Sequence, residues 1–449
     1  MTIQINAAPQ LTPLLDDIYI AGTMNNWSEG SEDYKLTHNQ DGTWSINIEG
    51  TQNETMEFKF TRGSWSKVEG NALGAYIPNR TATFVNGTTT TLSIEGWEDI
   101  AGTHTVTEYV RILDTDFAIP QLGRTRRIWI CFPQDYFSSD MHYPVCYMHD
   151  GQNVFDAATS FAGEWNADET MLTANVPECA NAIIVGIDNG GLSRMDEYSP
   201  WLNAEYNEGG EGQEFAAFIA ETLKPFIDET FRTLPDRIHT STAGSSLGAL
   251  ISMYMLVEYN NVFSKAGIFS PAFWFNEEIY QFAENNPMSA DTRIHFVCGD
   301  DESTGMVGDM QQMVDIAQTQ GLQVTATVHA GGQHSEYYWS LQFPDCYPDM
   351  FDCLLAVQEN NLPLLYSFPN PTSDSIQIAT RSGAIIHSIQ ILSDDGSLVK
   401  EVPDVNAALV NVSLSGMSFG HYVVKAIFEN TTLNQELRIE CGFVPVIKN

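Results

Sequence analysis

The sequence predicts an α/β domain with a mainly parallel sheet, flanked by two small all-β sandwich domains. Three changes of texture carry this reading. Residues 1–98 hold short alternating apolar and polar runs, residues 107–358 alternate apolar strand-like runs with helical ones, and residues 363–449 return to short alternating runs. A chain of 449 residues has room for two to four domains at the usual ~100–200 residues each.

In the first segment the strand candidates are Ile18-Tyr-Ile-Ala, Thr43-Trp-Ser-Ile-Asn-Ile, Met56-Glu-Phe-Lys-Phe and Thr89-Thr-Thr-Leu-Ser-Ile. Asp41-Gly42 and Asn86-Gly87 mark turns between them. In the second, the strands are Arg127-Ile-Trp-Ile-Cys-Phe, Val145-Cys-Tyr-Met, Ala182-Ile-Ile-Val-Gly-Ile, His239-Thr-Ser-Thr-Ala, Ala266-Gly-Ile-Phe, Arg293-Ile-His-Phe-Val and Val324-Thr-Ala-Thr-Val. Helical period runs from Glu214 to Arg232, and Leu247 to Tyr259 is apolar all round. Buried strands separated by helices argue a parallel sheet covered on both faces. Beyond a junction at Leu362–Tyr366, Ile376-Gln-Ile, Ile389-Gln-Ile-Leu and Tyr422-Val-Val-Lys-Ala alternate again, with Asp395-Gly396 as a hairpin turn.

Charge limits the partners. Asp and Glu outnumber Lys and Arg by 58 to 20, and the net charge of -38 repels phosphate backbones and anionic membrane surfaces. Solubility, in salt above all, is the plain role of this charge; steering of a cationic substrate is the alternative. No apolar run approaches the ~18 residues of a membrane span. Met1-Thr-Ile-Gln lacks the basic-then-apolar pattern of a signal peptide, so the chain is read either as intracellular or as mature, with the signal removed. The seven cysteines are scattered without a CxxC pair, which argues against a structural metal site. Cys131, Cys146 and Cys298 fall in strand-like runs as buried thiols; Cys346 and Cys353 are near enough in sequence to pair, unless one helix holds both too far apart.

Residues 244–248 read Gly-Ser-Ser-Leu-Gly, between a strand candidate and a helix. A sharp strand-to-helix turn there strains and exposes a nucleophile, Ser246, and aims the helix N-terminus at developing negative charge. Serine needs a base to take its proton. His334, in the glycine-bearing loop after the Val324 strand, suits that role; His329 ends the strand and is read as packed. The histidine needs an acid between Ser246 and itself in the chain. Asp300, Asp301 and Glu302 all qualify by position. The oxyanion donors expected are the N–H of Leu247 and that of Gln152, the latter in the His149-Asp-Gly-Gln-Asn loop.

These residues bring a resemblance into view. Tyr143-Pro-Val-Cys-Tyr-Met-His-Asp-Gly-Gln-Asn-Val-Phe-Asp, Gly244-Ser-Ser-Leu-Gly, Phe269-Ser-Pro-Ala-Phe-Trp, Cys298-Gly-Asp-Asp-Glu-Ser and Gly332-Gln-His-Ser-Glu-Tyr-Tyr-Trp resemble an esterase branch of the α/β-hydrolases. That branch is similar to carbohydrate esterase family 1, enterobactin esterases and mycolyltransferase antigens. The resemblance implies Glu302 as the acid, three residues after the loop glycine, and Ala249 stands where the family often has a further glycine. It also marks Asp188-Asn189, Arg194 and Glu197-Tyr-Ser-Pro as a segment near the cleft. Trp165, Arg194, Trp274 and Tyr338 are the candidate substrate contacts.

Ala21-Gly-Thr-Met-Asn-Asn-Trp and Phe58-Lys-Phe-Thr-Arg-Gly-Ser-Trp resemble glycogen-binding-like immunoglobulin modules, with Trp27, Trp44 and Trp65 as candidate sugar platforms, although Trp27 and Trp44 are spaced like core residues. Phe368-Pro-Asn-Pro-Thr-Ser-Asp, Asp394-Asp-Gly and Leu414-Ser-Gly-Met-Ser-Phe-Gly-His-Tyr resemble the C-terminal sorting domain of the type IX secretion system of Bacteroidetes, which implies secretion or cell-surface display through that machinery. The combined expectation is a cofactor-free, metal-free serine esterase for acyl or aryl esters, such as acetylated xylan or feruloylated polysaccharide. The rivals are a siderophore-ester hydrolase, which would want a basic pocket, and a non-enzymatic carbohydrate-binding surface protein.

Overall fold

The computed structural model describes residues 1–173 and 182–351, together with the strands and some connecting residues between 365 and 441. The chain divides into two units, Met1–Cys353 and Leu354–Asn449. At the centre of the first lies an eight-stranded sheet: β1 (Val110–Ile119), β2 (Arg124–Cys131), β3 (Val145–His149), β4 (Ile183–Ile187), β5 (Thr240–Ser245), β6 (Lys265–Phe269), β7 (Arg293–Gly299) and β8 (Gln323–His329). Their spatial order is β1-β2-β4-β3-β5-β6-β7-β8. β1 with β2 and β2 with β4 pair antiparallel; every later pairing is parallel. Loops after β3, β5, β6, β7 and β8 therefore leave the sheet at one edge.

The central strands β3 to β7 are buried on both faces, while the edge strand β8 is largely exposed, and alternation sorts the side chains between the faces. Ile128 and Ile130 of β2 join the core that holds helix α1 (Leu247–Glu258); Trp129 and Cys131 join the core that holds Trp339 and Phe343 of helix α2 (Glu336–Met350). Every residue of α1 from Leu247 to Val257 is buried, as its unbroken apolar sequence requires. The expected helix over 214–232 runs as Gly212–Phe218, a π turn at Ile219–Leu223, and Lys224–Thr230.

Seven of the eight strands match sequence candidates. β1 was not among them, because its register shifts between Ile112 and Asp114 and again between Asp114 and Phe117, which breaks the period of two.

The N-terminal residues form a four-stranded sheet, ordered Thr37–His38, Trp44–Asn47, Thr2–Ala7, Thr89–Ser93, and a three-stranded one, ordered Tyr19–Gly22, Thr55–Thr61, Arg80–Thr83. Ile3 and Ile5 from the first share a core with Ile20, Phe58 and Phe60 from the second. This region belongs to the same unit as the central sheet. The N–H groups of Leu14 and Leu15 donate to the carbonyls of Ile112 and Leu113 in β1. The connection near residues 104–107 is pinned by carboxylates: His104 Nδ1 lies 2.6 Å from Asp156 Oδ2, Thr105 Oγ1 donates to Glu164 at 3.0 Å, and the Thr107 N–H donates to Asp168 at 2.7 Å.

The second unit has a sheet ordered Leu365–Phe368, Ser375–Thr380, Leu409–Ser413 and another ordered Leu398–Val402, Ile386–Ser393, Gly420–Phe428, Glu436–Cys441. Ile378, Ile389, Ile391, Val412 and Val424 form its core. Residues 369–374, the Asp394-Asp-Gly turn, Cys179, Cys353 and residues 442–449 lie outside the described residues, so the Cys346–Cys353 pairing does too. Among the described cysteines, Cys131, Cys146, Cys298 and Cys346 are free and buried. No helix among the described residues is long and apolar enough to cross a membrane.

Glu164, Asp168 and Glu169 bring carboxylate oxygens within 4.8 Å of one another beside the pinned connection. Burial, and then the Asp168 charge, push the Glu169 carboxyl up to about 8. A carboxyl raised above its unfolded value of 4.5 stabilises the fold fully below that value and loses the contribution as pH rises through about 8. Thermal melting of the wild type is therefore expected to fall between pH 5 and 8.5, with a flatter profile for Glu169→Gln; parallel profiles would contradict this.

Candidate active site

The chain enters Ser246 from the end of β5 and leaves it as the first turn of α1. Ser246 adopts φ 57°, ψ -121°, a conformation costly for a residue with a Cβ. Two backbone hydrogen bonds hold it there: its N–H donates to Phe269 at 3.0 Å, and its carbonyl accepts from Ala272 at 3.0 Å. The flanking glycines permit the turn, since a Cβ on Gly244 would lie 2.7 Å from the Gly248 carbonyl group. Leu247 opens α1, so its N–H has no acceptor within the helix.

Glu302 follows β7 and His334 follows β8. His334 Nδ1 lies 2.8 Å from Glu302 Oε2. The other oxygen, Oε1, accepts from the Gly299 N–H at 2.6 Å and the Ser270 hydroxyl at 2.7 Å. Ser270 accepts in turn from Trp339 Nε1 at 2.8 Å, so the carboxylate is fixed by a chain that begins in α2. The Glu302 side chain is almost fully buried while the His334 ring remains partly exposed. The two loops can cross because both lack a side chain at the crossing: a Cβ on Gly299 would meet the Gly332 oxygen at 2.0 Å. Asp300 instead accepts from the Gly331 N–H at 2.7 Å, and Asp301 faces Gln333 at 3.4 Å. Of the three acids open to the sequence, Glu302 is the one facing His334. His329 ends β8 with Nδ1 on the Tyr338 hydroxyl at 2.9 Å.

Gln152 lies in a short 3-10 turn, Gly151–Asn153, directly after β3. Its side-chain oxygen accepts from the Asn189 N–H at 3.1 Å, and its own N–H sits in the first turn without a partner inside it. His149, which ends β3, is buried, and burial pushes its ring down to about 4, so it is neutral at ordinary pH.

The substrate-contact expectations fare unevenly. Trp165 is 3% exposed and packs against Phe269, Trp339 and Phe343, and Tyr338 is 5% exposed. Both are core residues rather than cleft walls: Tyr338 sits on the buried face of α2 itself, and Trp165 packs between that helix and Phe269 at the end of β6. Arg194 spends its guanidinium on Asp150, with Nε and Nη2 at 2.7 and 2.8 Å. Trp274 is 47% exposed on the turn after β6, beside Tyr206. Of the 188–200 segment, Asp188 holds Arg127 and Trp129, and Glu197 holds Arg124 and Arg126, so both carboxylates tie the segment to β2. Sequence reasoning missed Ser270 and Trp339 as supports of the acid. A buried serine ending an apolar strand was the available signal.

Glu302→Gln is expected to lower kcat for a short p-nitrophenyl ester by about 10²–10⁴-fold, the scale for losing the acid behind a catalytic histidine. Asp300→Asn and Asp301→Asn are expected to stay within about threefold of wild type on that scale. Equal losses in all three variants would contradict the geometry.

Comparison with known proteins places this arrangement. Residues 119–350 match the family described as "Putative esterase", and residues 366–440 match "Secretion system C-terminal sorting domain". The latter supports secretion or cell-surface display. The chain is 23% identical over 233 residues to "Uncharacterized protein YbbA" of Bacillus subtilis, a match spanning 49% of this chain and 89% of that one. A 94-residue stretch is 37% identical to an alpha-amylase of Niallia circulans, covering 21% of this chain and 7% of the amylase. Among solved structures, the BES protein of Bacillus cereus is similar at TM-score 0.47 and 20% identity, over 56% of this chain and 98% of that one. The enterobactin esterase FES of Shigella flexneri is similar at 0.43 and 14%, over 77% and 90%. The family match spans more than half of the 449 residues, and the chain therefore belongs to the "Putative esterase" family as a carboxylic ester hydrolase.

Proposed function

We propose that the protein hydrolyses carboxylic esters through an acyl-enzyme on Ser246. The observation that carries this reading is the 2.8 Å Glu302–His334 contact at the same sheet edge as the strained Ser246 turn. His334, its tautomer fixed by Glu302 on Nδ1, takes the Ser246 proton at Nε2 as the hydroxyl attacks the ester carbonyl. The oxyanion is received by the N–H groups of Gln152 and Leu247. His334 returns the proton to the departing alcohol, then activates water to free the acid.

The substrates proposed are acyl or aryl esters carried on polysaccharide, with Trp274 and Tyr206 offering a pair of exposed rings at the turn after β6. A catecholate siderophore is the weaker reading. Arg194, the cation among the candidate contacts, is already paired with Asp150, and the chain carries net charge -38.

A second observation supports attachment to glycan. On the N-terminal region, Trp27 and Trp65 (ring centroids 6.2 Å apart) line a groove with Lys59, Tyr76, Asn79 and Glu98. Lys59 Nζ lies over the Tyr76 ring, 4.6 Å from its centroid, and fixes that wall of the groove. Trp44, the third sugar candidate, lies outside this groove, stacked on His38. The 94-residue alpha-amylase match makes an α-glucan the first ligand to test.

Ser246→Ala is expected to lose at least about 10³-fold in turnover of p-nitrophenyl acetate, the scale for a triad member. Rates equal to wild type would rule the mechanism out. Trp65→Ala is expected to lose most of its retention on starch in affinity electrophoresis; unchanged retention would remove the glycan groove from the account.

A further inference from the structure

Asp150 stands between β3 and Gln152 in the left-handed region, at φ 56°, ψ 45°. A non-glycine residue is strained there unless its surroundings hold it, Asp being among the more tolerant types. Here three residues hold it through four hydrogen bonds. Arg194 makes a two-pronged contact, Nε to Oδ1 at 2.7 Å and Nη2 to Oδ2 at 2.8 Å. Asn189 Nδ2 donates to Oδ1 at 2.7 Å, and the Asp150 N–H donates to the Tyr198 hydroxyl at 3.0 Å. Burial alone would raise the carboxyl, but Arg194 and Asn189 reverse this and hold it below the ordinary aspartate value, so it stays ionised.

Of these residues Asn189 also reaches the loop that carries Gln152, and a separate contact holds the loop's other side. Asn189, through its backbone N–H, fixes the Gln152 side chain at 3.1 Å. On the far side, Asn153 Nδ2 donates to Glu336 at 3.2 Å, two residues after His334. The Asp150 carboxylate also packs against the nucleophile turn: a Cβ on Gly248 would lie 3.3 Å from Oδ2. Asp150 thus links the loop that supplies one oxyanion donor to the turn that supplies the other.

We propose that Asp150, clamped by Arg194, is a positioning residue that sets the Gln152 N–H relative to the Leu247 N–H. The proposal rests on the esterase reading and adds a role to a pair that touches neither the nucleophile nor the base. Arg194 acts here through Asp150 and not as a substrate contact. A donor displaced from the oxyanion costs the transition state and leaves ground-state binding nearly untouched.

The test is a double-mutant cycle with Asp150→Asn, Arg194→Lys and the double variant, assayed on p-nitrophenyl acetate, with thermal melting to follow folding. Each single variant is expected to lose about 10²-fold or more in kcat with KM within about threefold, the signature of a lost transition-state interaction. Binding of phenylboronic acid, which forms a tetrahedral adduct on the serine, is expected to weaken by the same factor as kcat/KM. The double variant is expected to be no slower than the slower single, because the two side chains act as a unit. Should Asp150→Asn fail to fold, Arg194→Lys carries the test, since it keeps the charge and loses the planar fork. Turnover that persists in Ser246→Ala would overturn the esterase reading and this inference with it. Turnover lost in Ser246→Ala but kept within about threefold in both single variants would overturn this inference alone, as would a raised KM with kcat unchanged.

Discussion

Everything at the site depends on strands running the same way. β3, β5, β6, β7 and β8 are parallel, so the segments bearing Gln152, Ser246, Trp274, Glu302 and His334 all emerge at one edge of one sheet. Parallel pairing brings residues together that are as much as 180 positions apart, without any of them needing a long loop. Both faces of the sheet must then be covered, and the crossover helices cover them. The same burial that stabilises the sheet fixes the strand ends to which the reacting groups are attached.

At that edge the geometry is held by close backbone approach and buried polar chains. Gly244 and Gly248 let the nucleophile turn pass between β5 and α1, and Gly299 and Gly332 let the acid and base loops cross. Glu302 is held by Ser270 and the Gly299 N–H, while Asp150 is held by Arg194, Asn189 and Tyr198. Each buried carboxylate is matched by donors, as a charge taken out of water requires. The proposed catalytic residues are thus held by a second set of buried side chains on neighbouring elements.

The sequence made much of this legible. Seven strand positions followed from apolar runs, and the strand-turn-helix around Ser246 gave a nucleophile its context. His334 and the three-acid loop followed from their order along the chain. Local patterns stopped short wherever the answer depended on tertiary geometry. β1 was hidden by its register shifts. Glu302 could not be told from Asp300 and Asp301 by spacing, since only the crossing of two loops decides which carboxylate meets the imidazole. Trp165 and Tyr338 looked like cleft walls because an aromatic residue near a motif reads alike whether it faces solvent or core. Arg194 read as a candidate substrate contact because its partner, Asp150, lies 44 positions away in the chain.

The most direct test of the account is a crystal structure of the protein phosphonylated by a fluorophosphonate ester. The account predicts phosphorus bonded to Ser246 Oγ, with one phosphonyl oxygen about 3 Å from both the Gln152 and Leu247 N–H groups and His334 Nε2 facing the leaving-group side. An adduct on any other residue, or an oxygen turned away from those two N–H groups, would contradict it.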